Sequence, residues 1–262
     1  MRLTVLAVAS LAAMIVGITG ASAKDWTATT VRIGTDATYP PFESQDSSGK
    51  IVGFDVDVGM AACEAVSLKC EFSNQDWDGI IPALTAGKID AILSSMSITE
   101  ERLKTIDFSD KVYNTPPAIA VPKDSPITSV DLSAFDGKSV GVQSSTTHAA
   151  YAEQELKGAD VKYYKTADDY KLDLSSGRLD AAMDDVVVLS EWLKTPDGAC
   201  CKLLGTLKLV PEIHGKGTGI GVRKEDTDLK ELFNKGIAAI RANGKYKEIN
   251  DKYFDFDAYG GE

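Results

Sequence analysis

The chain has 262 residues, of which 28 are Lys or Arg and 39 are Asp or Glu, for a formal net charge of −11. With 44% hydrophobic and 26% charged residues it has the balance of a globular protein, which excludes disorder and fibrous repeats. The acidity argues against a nucleic-acid partner, since phosphate calls for a basic face, and the length allows one large domain or two smaller ones.

The N-terminus reads as an address. Arg2 supplies a positive start, Leu3 to Ile18 is apolar and small, and Ala21-Ser22-Ala23 fits the small-x-small cleavage rule. This predicts a secretory signal peptide over residues 1–23, because an apolar run of about 16 residues falls short of the ~20 that span a bilayer.

Strand-like and helix-like stretches then alternate. Val31 to Gly34 is a predicted strand that opens into the loop Asp36-Ala37-Thr38-Tyr39-Pro40-Pro41-Phe42, a carboxylate beside two rings. Such a loop suits a cationic group, or serves as a surface turn with Asp as its cap. Asp55 to Ala65 is a predicted helix with Val56, Met60 and Cys63 on one side. A helix continued to Cys70 would hold the two cysteines about 10 Å apart, too far to bridge. Pairing therefore needs the helix to end near Val66–Ser67, and export favours a Cys63–Cys70 disulfide over two free thiols. Gly79 to Ala86 is a short predicted helix with Pro82 in its first turn. Ile89 to Leu93 is a strand opening into Ser94-Ser95-Met96-Ser97, and Thr99 caps a helix start that carries Glu100, Glu101 and Arg102. Arg fits a first turn poorly. It is explained either by a carboxylate ligand or by pairing with Glu100 or Glu101.

The second half repeats this grammar. Ser139 to Val142 is a strand followed by the polar run Gln143 to His148, in which Thr146 or Thr147 caps a helix from about Ala149 to Leu156. Val161 to Tyr164 is a strand and Asp168 to Ser175 a helix. Gly87-Lys88-Ile89-Asp90-Ala91-Ile92-Leu93 then matches Gly177-Arg178-Leu179-Asp180-Ala181-Ala182-Met183 in type at nearly every position. One strand ends in serines and the other in Asp184-Asp185. The echo predicts two related α/β lobes with mostly parallel strands. Extended, proline-bearing stretches near Lys111–Pro122 and Leu207–Pro211 predict two crossings between lobes, and Lys230 to Tyr253 is a long amphipathic helical region. Cys200 and Cys201 are adjacent, where bridging is strained, so their state stays open. No C-x-x-C occurs and the two histidines are His148 and His214, so zinc is a poor reading.

Taken together, these loops offer carboxylate receptors, ammonium receptors and aromatic faces from two lobes, a recognition site for a zwitterionic amino acid. Nearly the whole chain, Ala28 to Gly260, resembles the family 3 periplasmic solute-binding proteins of ABC importers. Among them it is similar to the lysine/arginine/ornithine- and histidine-binding proteins. The matching stretches are Arg32-Ile33-Gly34-Thr35-Asp36-x-Thr38-Tyr39-x-Pro41-Phe42, Gly53-Phe54-Asp55-Val56-Asp57, Ile89-Asp90-Ala91-Ile92, Ser97-Ile98-Thr99, Phe108-Ser109-Asp110-Lys111, Gly217-Thr218-Gly219-Ile220-Gly221 and Lys252-Tyr253-Phe254-Asp255-Phe256. Cys63 and Cys70 match the positions of the family's disulfide.

The resemblance implies the type II periplasmic-binding-protein fold: two α/β lobes joined by two hinge segments, with the ligand in the cleft. Lobe 1 is expected over 24–113 and 209–262, and lobe 2 over 114–208. By the same resemblance Arg102 clamps the α-carboxylate with Ser97 and Thr147, and Asp185 binds the α-ammonium with Ser95. Tyr39 and Trp77 sandwich the side chain, whose far end meets Asp36 and Ser94. Gln143, Thr146 and His148 complete the expected lining. Trp77, Gln143 and His148 depart from the relatives, which usually carry Phe, an apolar residue and Gln there. The implied function is delivery of a polar, basic L-amino acid to an inner-membrane permease by a periplasmic monomer without cofactor. An opine-binding protein or sensor is the alternative. A dehydratase-type enzyme ranks below both, since Asp184 and Asp185 are its one acid/base pair and no G-x-S-x-G or H-E-x-x-H occurs. Gly137-Lys138-Ser139 imitates a phosphate loop, but Leu132 stands where the first Gly must be.

Overall fold

The structure, a computed structural model, describes residues 24–260; the signal-peptide assignment at 1–23 lies outside them. A 3-10 turn (Trp26–Ala28) leads into β1 (Thr30–Thr35), and β2 (Thr38–Tyr39), β3 (Glu43–Gln45) and β4 (Ile51–Val52) form a small antiparallel sheet. There follow α1 (Phe54–Ala65), β5 (Lys69–Asn74), α2 (Trp77–Thr85), β6 (Ala91–Ile92), α3 (Glu100–Leu103) and β7 (Asp107–Tyr113). The chain then crosses into a second sheet: β8 (Pro117–Pro122), β9 (Ser139–Gln143), α4 (Thr147–Glu155), β10 (Asp160–Tyr164), α5 (Ala167–Ser175), β11 (Ala181–Asp185), α6 (Val186–Leu193) and β12 (Cys201–Thr206). It returns through α7 (Pro211–His214) to β13 (Thr218–Val222), α8 (Thr227–Ala242) and α9 (Lys245–Tyr253).

The two five-stranded sheets have the same plan. One runs β5-β1-β6-β13-β7 and the other β10-β9-β11-β8-β12. In each the first three strands are parallel and the fourth is antiparallel to both neighbours. Four of the five strands in each sheet thus run the same way, as the βαβ pattern led one to expect, and the reason for the one reversed strand is topological. Strands of the βαβ units end at the cleft, whereas β8 and β13 arrive from the opposite lobe and start there, so they run the other way.

The sequence echo has a packing cause. Gly87 and Gly177 follow α2 and α5 with φ of +70° and +72°, a conformation glycine adopts at little cost. Two residues on, Ile89 and Leu179 fold over the preceding strands. A Cβ on Gly34 would stand 2.5 Å from Ile89 Cδ1, and one on Gly141 would stand 2.4 Å from Leu179 Cδ1. The next residue ties helix end to strand: Asp90 accepts from Arg32 N (3.1 Å), and Asp180 accepts from Ser139 N (2.8 Å). Each lobe buries its own apolar core. Val31, Ile33, Phe54 and Phe233 lie in the first, and Val140, Val142, Tyr151 and Met183 in the second.

α1 ends at Ala65, Ser67 takes φ of +58°, and the chain turns back into β5. That brings Cys63 and Cys70 to a Cα separation of 6.3 Å, and they are disulfide-bonded. Cys200 (exposed) and Cys201 (buried) are unbonded, with sulfurs 2.8 Å apart. Two expectations shift. α2 begins at Trp77, so Pro82 lies in its second turn, where the carbonyl it fails to serve belongs to exposed Asp78. The long C-terminal helical region is two helices, broken where Gly244 takes φ of +83°.

Candidate functional site

The carboxyl ends of β1 and β6 face those of β9 and β11 across one cleft, the usual ligand position in open α/β sheets. The first sheet's side contributes Asp36, Tyr39, Trp77, Ser94, Ser95, Ser97 and Arg102. The second contributes Gln143, Thr146, Thr147, His148 and Asp185. All twelve residues singled out in the sequence therefore line the same cavity. Ser95 and Ser145, in the two loops that bound it, hold φ of +49° and +60°. Such backbone is sparsely populated by residues other than glycine and tends to collect at binding sites.

At one end stands Arg102. Thr99 Oγ1 caps α3 by accepting from Arg102 N (3.3 Å). The guanidinium donates to the carbonyls of Ser97 (2.9 Å) and Ser145 (3.2 Å), one from each side of the cleft. Glu100 pairs with Lys216 and Glu101 with Lys104, which removes the reading that Arg102 serves a neighbouring glutamate. The enclosing walls push its pKa down to about 10, so it stays charged at neutral pH without a carboxylate partner. The Trp77 ring lies 5.3 Å from its Cζ, and the indole Nε1 is buried without a hydrogen-bond partner. Opposite, Thr146 caps α4, accepting from Ala149 N (3.0 Å) and donating to Gln143 O (2.7 Å). Asp185 caps α6, one oxygen accepting from Val187 N (2.7 Å) and the other from Thr115 Oγ1. Burial raises its pKa to about 7.

At the other end Asp36 accepts from Gln143 Nε2 and Thr38 Oγ1, both at 3.1 Å, and burial raises its pKa. Ser94 Oγ accepts from Asp36 N (2.8 Å) and donates to Glu43 (3.2 Å); Ser95 Oγ donates to the other Glu43 oxygen (3.2 Å). Asp55 holds the Ser95 N–H (2.8 Å), and Tyr113 OH donates to Ser95 Oγ (2.8 Å). Burial raises both carboxyls, Glu43 further because of the Asp55 charge. Behind the opposite wall Asp184 accepts from Tyr39 OH, reaching across the cleft, and from Tyr170 OH; His148 Nδ1 lies 3.2 Å away. Burial lowers the His148 pKa against the pull of Asp184, and Arg102 lowers it further. His214 is pushed down to about 4 by burial and then by His148, so it is neutral.

The cavity thus opposes one guanidinium without a carboxylate partner to the carboxyls of Asp36, Glu43 and Asp185. That arrangement fits a ligand with one carboxylate and two cationic groups. Among the described residues no group of three or more His, Cys, Asp and Glu side chains is placed to hold a metal ion.

The sequence profile described as bacterial extracellular solute-binding proteins, family 3, matches residues 31–256. The chain belongs to this family. The solute-binding chain is 46% identical over 233 residues to the L-arginine-binding protein of Pseudomonas aeruginosa, covering 88% of this chain and 90% of that one. It is 45% identical over 234 residues to the lysine/arginine/ornithine-binding periplasmic protein of Escherichia coli, with the same coverage. An ancestral arginine-binding protein bound to arginine superposes with a TM-score of 0.80 at 38% identity, over 86% of this chain and 98% of that one. The relatives are named as binding proteins, and the second as periplasmic.

Sequence reasoning missed part of this solute-binding protein's cleft. Asn114, Thr115 and Pro117 line it from the first crossing, and Leu209, His214 and Thr218 from the second. A signal was present: a segment that crosses between lobes must pass the back of the cleft between them. Glu43 and Tyr113 left no such trace, because their part rests on serines of a loop 51 residues away from the one and 18 from the other in sequence.

Proposed function

We propose that the chain is the periplasmic substrate-binding component of an ABC importer that takes a basic L-amino acid: arginine, lysine, ornithine or histidine. The observation that carries this is Arg102, charged, walled in and without a carboxylate partner, facing Asp185 across the cleft. Arg102 with Ser97 and Thr147 takes the α-carboxylate, and Asp185 the α-ammonium. Asp36, with Gln143 beside it, meets the distal cation, and Tyr39 and Trp77 flank the aliphatic stem. Residues 24–113 and 209–262 form one rigid lobe and 114–208 the other, hinged at the two crossings. Residues 1–23 direct export, and the closed monomer delivers its ligand to a membrane permease, without nucleic acid as a partner. The enzyme reading is the weaker one. The relatives it matches are named as binding proteins, and Asp184, the other half of the acid/base pair, is committed to Tyr39, Tyr170 and His148.

A thermal-shift screen over the amino acids and opines tests this. A ligand at a hundred times its Kd stabilises the fold by about 2.7 kcal/mol, so basic amino acids should raise the melting temperature clearly. Arg102→Ala should cost every α-amino acid about 2–5 kcal/mol by calorimetry, as loss of an enclosed charge pair does. Asp36→Asn should weaken arginine more than glutamine. No shift with any amino acid would overturn the assignment.

A further inference from the structure

The two histidines of the chain both line the cleft, and the mechanism above uses neither. His214 ends α7 in the second crossing and is only 6% exposed. Its Nδ1 lies 3.0 Å from Val210 N. Nδ1 also lies 3.2 Å from the Val210 carbonyl, but that oxygen is already served by the N–H groups of Ile213 (2.9 Å) and His214 (2.8 Å), so the shorter contact, with Nδ1 accepting from the Val210 N–H, is the better use of it. We therefore assign the proton to Nε2. Nε2 is buried and has no hydrogen-bond partner. A buried donor left unmade costs stability, and because His214 lines the ligand cavity a bound ligand can supply the acceptor.

The neighbours say which acceptor. Gly215, next in the chain, packs on the Ile98 carbonyl: a Cβ there would stand 2.0 Å from that oxygen. Lys216 N donates to Ile98 O (3.1 Å) and Ile98 N to Gly217 O (2.8 Å). The end of α7 is thereby pinned to the segment that carries Ser97, Thr99 and Arg102. On its other side the His214 ring packs on Tyr151 of α4, 5.3 Å between centroids, close behind the helix start that carries Thr147 and His148. His214 therefore stands where the Arg102 segment and the α4 N-terminus meet.

We propose that His214 is a ligand-binding residue, its Nε2–H donating to the α-carboxylate beside Arg102 and adding to selection for the carboxylate head group. This rests on the amino-acid reading above. Calorimetry of His214→Phe, which keeps a ring against Tyr151, should show about a tenfold or greater loss of affinity for L-arginine, the range for a hydrogen bond to a charged group. The loss should be smaller for argininamide, whose neutral carboxamide replaces the carboxylate while the α-ammonium is kept. A second readout needs no variant. In untagged protein with 15N-labelled histidine there are two imidazoles to resolve, and the His214 Nε2–H signal should move on adding L-arginine. A wild type that binds no amino acid removes the functional reading and this proposal together. A wild type that binds L-arginine, with His214→Phe binding within twofold of it or the Nε2–H signal unmoved, overturns this proposal alone.

Discussion

Asp185 sets how the head-group site responds to pH. Burial raises its pKa to about 7 in the unliganded protein, and an ammonium pairs with the ionised form. Below that pH the carboxyl must first lose its proton, so the affinity for a basic amino acid should fall by roughly tenfold per pH unit below about 7 and level off above it. Binding at pH 6 should release a proton, seen as a buffer-dependent enthalpy in calorimetry. A Kd flat from pH 5.5 to 8.5 would refute this. The residues that could be read from sequence, such as Arg102 behind its Thr99 cap and Asp36 beside Tyr39, announce themselves within a few neighbours. The carboxyls Glu43 and Asp55 do not. Burial raises both, and their partners Ser94 and Ser95 are brought to them only by the folded chain.

Among the elements, α8 shows two effects of opposite sign at one position. Gly236 lies inside the helix, where alanine would ordinarily gain about 1 kcal/mol in propensity. A Cβ there, however, would stand 2.4 Å from the carbonyl oxygen of Ala62 in α1, a backbone atom that moves only if the helix moves. Overpacking of this kind costs about 1–3 kcal/mol, so the clash wins and Gly236→Ala should lower the urea midpoint of unfolding. A raised midpoint would mean that α1 and α8 are free to separate. Element type was legible because each strand and helix carries its own period and its own stop, as at Gly87 and Gly177. The reversed direction of β8 and β13 was not, because it follows from which lobe the chain has just left. The same holds for the start of α2, where Trp77 and Asp78 enter the helix ahead of Gly79.

At the scale of the whole molecule, the cleft is bridged by direct contacts between the lobes. Gln143 reaches Asp36, Tyr39 reaches Asp184, Ser144 and Ser145 reach Asp78, and Lys165 reaches Asp76. The Asp78 and Asp76 carboxylates lie at the exposed rim and bond to no side chain assigned to the ligand; they reach Arg102 and Gln143 only through the backbone carbonyls of Ser145 and Lys165. Asp78→Ala should therefore act chiefly on closure. It should weaken all ligands by the same small factor, about threefold, and leave their ranking unchanged. Calorimetry with arginine, lysine and ornithine checks this: a change in ranking would place Asp78 in recognition instead.

The fourth strand of the first sheet also dictates an order of assembly. Among the described residues β7 hydrogen-bonds to β13 and to no other strand, so residues 107–113 have no sheet partner there until Thr218–Val222 has been made. The second sheet is drawn from one unbroken stretch and is complete at Thr206. A chain emerging from its N-terminus can finish the lobe it starts second before it can finish the lobe it starts first.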